Sequence, residues 1–352
     1  MKITIMVGNG FDIALGIKSS YTDFYEWFCK QPSSSEAIEK MKASIAKEKT
    51  WADLELGLGQ YTSNFSLENI DKFIACYENI QREIITYLNM QLVQLKNWKH
   101  TQDEIVAFSH SIWNFYDEIS DQEKNKVRDV ANSPINENKE YTFVSFNYTD
   151  TLEKILEYIS NVNLSTWKYG EKIYAHRINK NVIHVHGTTN EFPIIGVNDE
   201  TQIANKDLLK APQFKEFVIK SETVNELGML WHQQAEDQIE MSRFICVLGM
   251  SIGSSDTKWW QNLIQWLSQK SDRHLIIYWY EKDPPNGVSF IKQIQCVNNV
   301  KEKFLSYSKL SDENKQSLKR RIHVVINSKK FLYLPPKHVE AGTANELTSV
   351  LL

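Results

Sequence analysis

Residues 3–21 read ITIMVGNGFDIALGIKSSY, a β-branched run that meets Gly8-Asn9-Gly10 and continues to Gly16. A nucleotide-binding loop begins this way. Gly8 and Gly10 carry no Cβ and can take positive φ, so the backbone can turn at the strand's end and approach a phosphate or ribose closely. On this reading the ligand rests on bare amides, with Asn9 and Asp12 beside it. The common dinucleotide fingerprint G-x-G-x-x-G asks for glycine at position 13, where the chain has Ile13, and a generic Rossmann assignment loses weight.

Outward from this strand, β-branched and aromatic runs recur at EYTFVSF (ending at Phe146), NVIHVH (His186), RFICVLG (Gly249), HLIIYWY (Tyr280) and IHVVI (Ile326). Short continuous apolar runs suit central strands of a mostly parallel sheet covered on both faces by helices. Helical periodicity fills the intervals, as with Leu152, Ile155, Leu156 and Ile159, or Trp259, Leu263 and Trp266. The fold class is therefore α/β, Rossmann-type.

About 130 residues separate the first strand from the second, far more than one crossover helix needs, so a large helical insertion is expected there. Ile70, Phe73, Ile74, Tyr77, Ile80, Ile84, Leu88, Leu92 and Leu95 mark a long amphipathic helix. A second opens at the capping box Thr101-x-x-Glu104, and Ser133 to Lys139 is the loop that returns to the sheet. The layer packs on the sheet or acts as a lid over the glycine loop.

Composition narrows the function classes. The chain has 352 residues, 42% hydrophobic and 12% aromatic, enough for a substantial core. With a net charge of −4 and scattered Lys and Arg, neither nucleic acid nor an anionic membrane is an expected partner. The basic run ending at Arg321 reads as a solvated helix face. Cys29, Cys76, Cys246 and Cys296 lie far apart without C-x-x-C spacing, which gives neither a zinc ribbon nor a disulfide framework and fits a reducing cytoplasm. No leader segment or membrane span is apparent, so Asn147-Tyr-Thr is an accidental sequon.

Four polar segments follow predicted strands, where open α/β sheets bind ligands. They are the opening loop; SFNYTDTLE, with Asn147 leaving the strand and Asp150 capping the next helix; IHVHG; and VLGMSIGSSD, with Gly249, Ser251 and Gly253 before a helix capped by Asp256. Asn147 holds a water or sugar hydroxyl, or bonds its own backbone as a turn residue. His184 and His186 share a strand face by the period-two rule, and serve as a general base, a metal pair or hydrogen-bonded core. The Gly249 loop suits ribose or phosphate oxygens, or is an ordinary turn.

These segments, with GIKSSYTDF, Trp51-Ala-Asp-Leu-Glu55, IIGVND, FKEFVIKSE and GMSIGSSDTKWW, resemble the AbiH family of bacterial abortive-infection proteins over nearly the whole chain. The resemblance implies a sirtuin-like core, in which residues 1–352 form a single domain and 19–138 its helical insertion. Gly8, Gly10 and Gly16-Ile17 fall at sirtuin offsets, Asn147 on the asparagine that places NAD and water, His186 on the catalytic histidine, and Gly249 with Ser251 on the later ribose loop. Gly8, Asn9, Gly10, Phe11, Asp12, Gly16, Gly249, Ser251 and Asp256 are then the NAD-binding set, and Asn147 and His186 the catalytic one. Lys18 stands for the sirtuin proline, Asp12 for its serine, and Asp150 follows Asn147 at three residues rather than two. Met250 stands where the family often has histidine. The zinc cysteines of sirtuin deacetylases are missing, which moves the expected reaction from deacetylation to NAD hydrolysis.

Two alternatives stay open: a non-catalytic sensor of NAD or ADP-ribose, and a metal-dependent hydrolase or nuclease in which Asp199 or Asp256 joins His184 and His186. A homo-oligomer is compatible with the sequence, and the phage trigger is not legible in it.

Overall fold

The structure is a computed structural model that describes residues 1–93, 100–159, 163–191, 193–284 and 290–335. The opening run forms β1 (Lys2–Val7), buried from Ile3 onward. α1 (Gly10–Ala14) follows at once and closes in a Schellman turn: Gly16, at φ 88°, donates its amide to Ile13 O, and Ile17 donates to Asp12 O. The insertion contributes α2 (Tyr21–Phe28), α3 (Glu36–Lys47), α4 (Leu54–Tyr61), α5 (Ile70–Val93), α6 (Gln102–Trp113) and α7 (Asp121–Asn132). β2 (Lys139–Ser145) returns to the sheet and leads through α8 (Thr151–Glu157) into a hairpin of β3 (Asn163–Tyr169) and β4 (Lys172–His184). α9 (Phe214–Val218), α10 (Lys220–Glu226) and α11 (Trp231–Met241) precede β5 (Ser242–Leu248). α12 (Thr257–Gln269), β6 (His274–Trp279), α13 (Phe290–Leu305), α14 (Asp312–Lys319) and β7 (Ile322–Ile326) follow.

The strands form one seven-stranded sheet in the order β3-β4-β2-β1-β5-β6-β7, parallel throughout except for the β3–β4 pair. The chain builds one flank outward from β1, then crosses to β5 and builds the other. The order thus reverses between β1 and β5, where such sheets bind ligands outside the strands' carboxyl ends.

Alternation along β1 sends Ile3, Ile5 and Val7 to one face and Met6 to the other. On the first face they meet Phe11 of α1 and its C-cap Leu15, Phe108 and Ile112 of α6, Val127 of α7, and Leu152, Ile155 and Leu156 of α8. On the second, Ile239 of α11, Trp259, Trp260 and Trp266 of α12, Phe304 of α13 and Leu318 of α14 close the core. The tryptophans are therefore packing residues. The basic run around α14 is a solvated face with Leu318 as its buried contact.

The insertion divides between two tasks. α6 and α7 cover a sheet face, and the Thr101–Glu104 capping box opens α6 as its spacing predicts. α2 to α5 instead build a third core with Ile195, Val197, Ile203, Leu208, Phe214 and Val218, residues that lie between β4 and α10. Along α5, Phe73, Tyr77, Ile80, Ile84, Leu88 and Leu92 are buried while Ile74 is half-buried; Leu95 lies outside the described residues. The Tyr77 hydroxyl ties α5 to this segment by donating toward the Ile195 and Phe217 carbonyls.

Three local expectations change. β3 and the first half of β4 escape the strand signal because they form an edge hairpin with one wetted side, where Tyr169 and Ile173 are exposed and lysines and asparagines interrupt the apolar run. β4 ends at His184, and Gly187, at φ 68°, helps turn the chain away, so His186 is a turn residue and does not share a strand face with His184. Asp150 and Asp256 stand at the N-cap positions of α8 and α12 but make no capping bond, because each carboxylate faces a lysine instead.

Candidate functional site

The four polar segments end four adjacent strands, β4, β2, β1 and β5, so the sheet order brings them to one edge. Their contents differ from the sequence expectation. The Gly8 amide donates to Leu248 O at 2.8 Å and the Gly10 amide to Gly249 O at 2.7 Å, so these amides are not bare. Neither glycine is among the residues with positive φ; Gly249, at φ 68°, is. A Cβ on Gly10 would stand 2.6 Å from Gly249 Cα, and one on Gly249 2.5 Å from the Phe11 nitrogen. What the glycines permit is backbone-to-backbone packing of the two loops on either side of the switch point. Phe11 is buried in the core beneath, and Asn9 donates its side-chain amide to Ser19 O at 2.9 Å, tying the loop to the start of the insertion. Gly16 shapes the end of α1, and Ser251 is exposed at the tip of its loop.

Beside this closed crossing lies a set of buried polar side chains. Thr149 donates its hydroxyl to Asp12 Oδ2, while Asp12 Oδ1, Asn147 Oδ1, Thr151 Oγ1, Glu153 Oε2 and Thr189 Oγ1 are buried without a hydrogen-bond partner in the protein. Buried polar atoms are normally paired, so this concentration marks a place built for something polar. Burial raises the pKa of Asp12 to about 7, against the Thr149 hydrogen bond, which lowers it. His184 is fully engaged: its Nδ1 lies 2.9 Å from the Asn147 carbonyl and its Nε2 bonds Glu153 Oε1. Burial opposes charging this imidazole, but the Glu153 bond and charge outweigh it and raise its pKa. His184 is thereby a support for the Asn147 backbone.

His186 is buried between Phe146 and Tyr148, whose rings lie 5.6 and 6.1 Å from its own. Burial, then the cationic Lys220 and the neighbouring His232, push its pKa well below 6.5, so the imidazole is neutral near pH 7. Behind Tyr148 stands a group that the sequence reading passed over. Lys220 Nζ pairs with Glu55 Oε2 at 2.6 Å and lies 3.9 Å from Asp256 Oδ1, and Tyr148 Oη is 3.1 Å from Glu55 Oε1. Burial raises the Glu55 pKa to about 7 despite the opposing pull of Lys220, and raises that of Asp256 as well. On Lys220 burial acts the other way, yet Glu55 and Asp256 prevail and hold it charged. Glu55 and Lys220 lie in the WADLE and FKEFVIKSE motifs. Each motif mixes several charged residues with apolar ones, so only packing could show that Glu55 and Lys220 are the ones buried together.

A metal centre gains no support from this arrangement. Both ring nitrogens of His184 are committed, and Asp199 caps its own short helix by accepting the Thr201 amide at 2.8 Å. Among the described residues no group of three His, Cys, Asp or Glu is placed to hold a metal ion, and no helix is long and apolar enough to cross a membrane.

Comparison with curated proteins finds no match. Residues 4–278, which carry all four strand-end segments, match the model of the family described as bacteriophage abortive infection AbiH, and the chain belongs to that family.

Proposed function

We propose that the chain binds NAD across the carboxyl ends of β5, β1, β2 and β4 and hydrolyses it to ADP-ribose and nicotinamide. The observation that carries this reading is the buried Oδ1 of Asn147, which has no hydrogen-bond partner in the protein and follows β2 next to β4, whose end leads into the turn that carries His186. Leaving such an oxygen unsatisfied costs about 1–3 kcal/mol, which a ribose hydroxyl or a held water relieves. The resemblance of Asn147, His186 and the Gly249–Ser251 loop to sirtuin-like positions supports NAD as the nucleotide, with the exposed Ser251 as a sugar contact. Family membership supports a role in abortive infection, and loss of NAD would halt an infected cell.

In this reading Asn147 positions the water and His186 accepts its proton as the oxygen bonds to C1′ of the nicotinamide ribose. The glycosidic bond breaks with its electron pair leaving on nicotinamide. NAD and water thus give ADP-ribose, nicotinamide and one proton. Positive charge that develops on the sugar favours a nearby carboxylate, as in other glycosidic cleavages.

The test is incubation of purified protein with NAD, with and without extracts of infected cells. Consumption abolished in both Asn147→Ala and His186→Ala, together with loss of phage protection, supports hydrolysis. Tight NAD or ADP-ribose binding without turnover selects the sensor instead. No binding, no turnover and full protection by both variants would overturn the reading.

A further inference from the structure

Resting on the reading above, we propose that Glu55, carried by the inserted helices, is a positioning residue of the His186 site and that its protonation state is transmitted to the imidazole through Tyr148. The connection is continuous. Glu55 Oε1 lies 3.1 Å from Tyr148 Oη, which also lies 3.1 Å from the Ile194 carbonyl. The Ile194 amide in turn donates to the His186 carbonyl at 2.8 Å, and the Tyr148 ring packs on the His186 ring. The turn that presents His186 is thereby held from both sides.

Tyr148 has one hydroxyl hydrogen and two acceptors at equal distance. Both contacts are satisfied together only when Glu55 carries a proton and donates it to Tyr148 Oη while Tyr148 donates to Ile194 O. When Glu55 ionises, Tyr148 must choose between carboxylate and carbonyl, and the hold on the His186 turn loosens. The surroundings place this exchange in the neutral range. Asp53 caps the helix that carries Glu55, while Lys220 and Asp256 approach from α10 and the start of α12. The phenols of Tyr21 and Tyr25 on α2 and Tyr77 on α5 face the carboxylate as well. Three carboxylates thus surround one ammonium, and excess negative charge with burial favours a proton on Glu55.

This arrangement gives the insertion a task beyond covering the sheet. The residue that steadies the catalytic turn belongs to α4, and its partner Lys220 to α10, so the α2–α5 layer and the sheet must be docked for the site to be complete.

The test uses Glu55→Gln, which keeps shape and the hydrogen bond but cannot titrate, and Tyr148→Phe, which cuts the link. Two readouts separate this proposal from the NAD reading. The first is the NMR titration of the His186 imidazole in protein with labelled histidines, assigned by His186→Asn and needing no substrate. An inflection between pH 6 and 8, roughly where the carboxyl titrates, is expected in the wild type and absent from both variants. The second is the pH profile of NAD turnover, in which Glu55→Gln, a stand-in for the protonated carboxyl, loses the decline toward high pH, while Tyr148→Phe lowers kcat roughly tenfold with KM unchanged. An unchanged imidazole titration in both variants overturns the proposal whatever happens to NAD. An inflection lost on mutation in a protein that leaves NAD intact upholds the coupling and overturns only the proposed reaction.

Discussion

Two regions at the same sheet edge treat their polar atoms in opposite ways. The Gly8–Gly10 and Gly249 loops spend their amides and carbonyls on each other and pack backbone against backbone. The neighbouring polar side chains leave atoms of Asp12, Asn147, Thr151, Glu153 and Thr189 buried and unpaired. The first has the composition of a ligand cradle but is a rigid joint; the second has ordinary composition but carries the unsatisfied chemistry. Glycine spacing reports that something comes close to the backbone. It does not report whether that something is a phosphate or another strand's loop.

The sharpest way to break this contrast is Gly249→Ala. With φ at 68° and a Cβ that would stand 2.5 Å from the Phe11 nitrogen, the substitution is expected to cost more than about 3 kcal/mol in urea unfolding, or to prevent folding. A well-folded variant that merely loses nucleotide binding would return the loop to the role of a cradle.

Next in size is the pH dependence of stability. Asp12 and Glu55 have folded pKa values near 7, above their ordinary 3.8 and 4.5, so the folded state binds protons that the unfolded state has released. Stability from these groups is full below about pH 4 and declines as pH rises toward 7. A loss of about 5 kcal/mol between pH 5 and pH 8 is expected from calorimetry. Asp12→Asn should remove part of that slope and gain stability at pH 8, whereas a slope of the opposite sign would show that Asp12 is ionised and paired.

The smallest expected effect sharpens the other side of the comparison. Asn147 Oδ1 satisfies nothing in the protein, so Asn147→Ala should leave the ligand-free protein as stable or stabilise it by up to about 1–3 kcal/mol while abolishing NAD turnover. A large loss of stability would make Asn147 a structural turn residue after all.

Much of the fold was legible because local rules and global order agree here. The central strands are β-branched apolar runs, Thr101 and Glu104 form the capping box that their spacing announces, and the α12 tryptophans pack inward as their helical period requires. The hairpin was not legible, since an edge with one wetted face dilutes the pattern on which strand reading depends. His184 and His186 misled for a related reason: period-two reasoning holds only while the strand continues, and this one ends at His184.

The sequence by itself determined the α/β class, the order of the strand-end segments, the long insertion and the AbiH family. Periodicity, turn residues and ordered motifs are local or linear properties, and a sequence displays them directly. Only the tertiary structure decided that the glycine loops lock together, that His184 supports while His186 faces Tyr148, and that Glu55 meets Lys220 across 165 residues. Those outcomes depend on which buried groups find partners, and partners distant in sequence are chosen by packing.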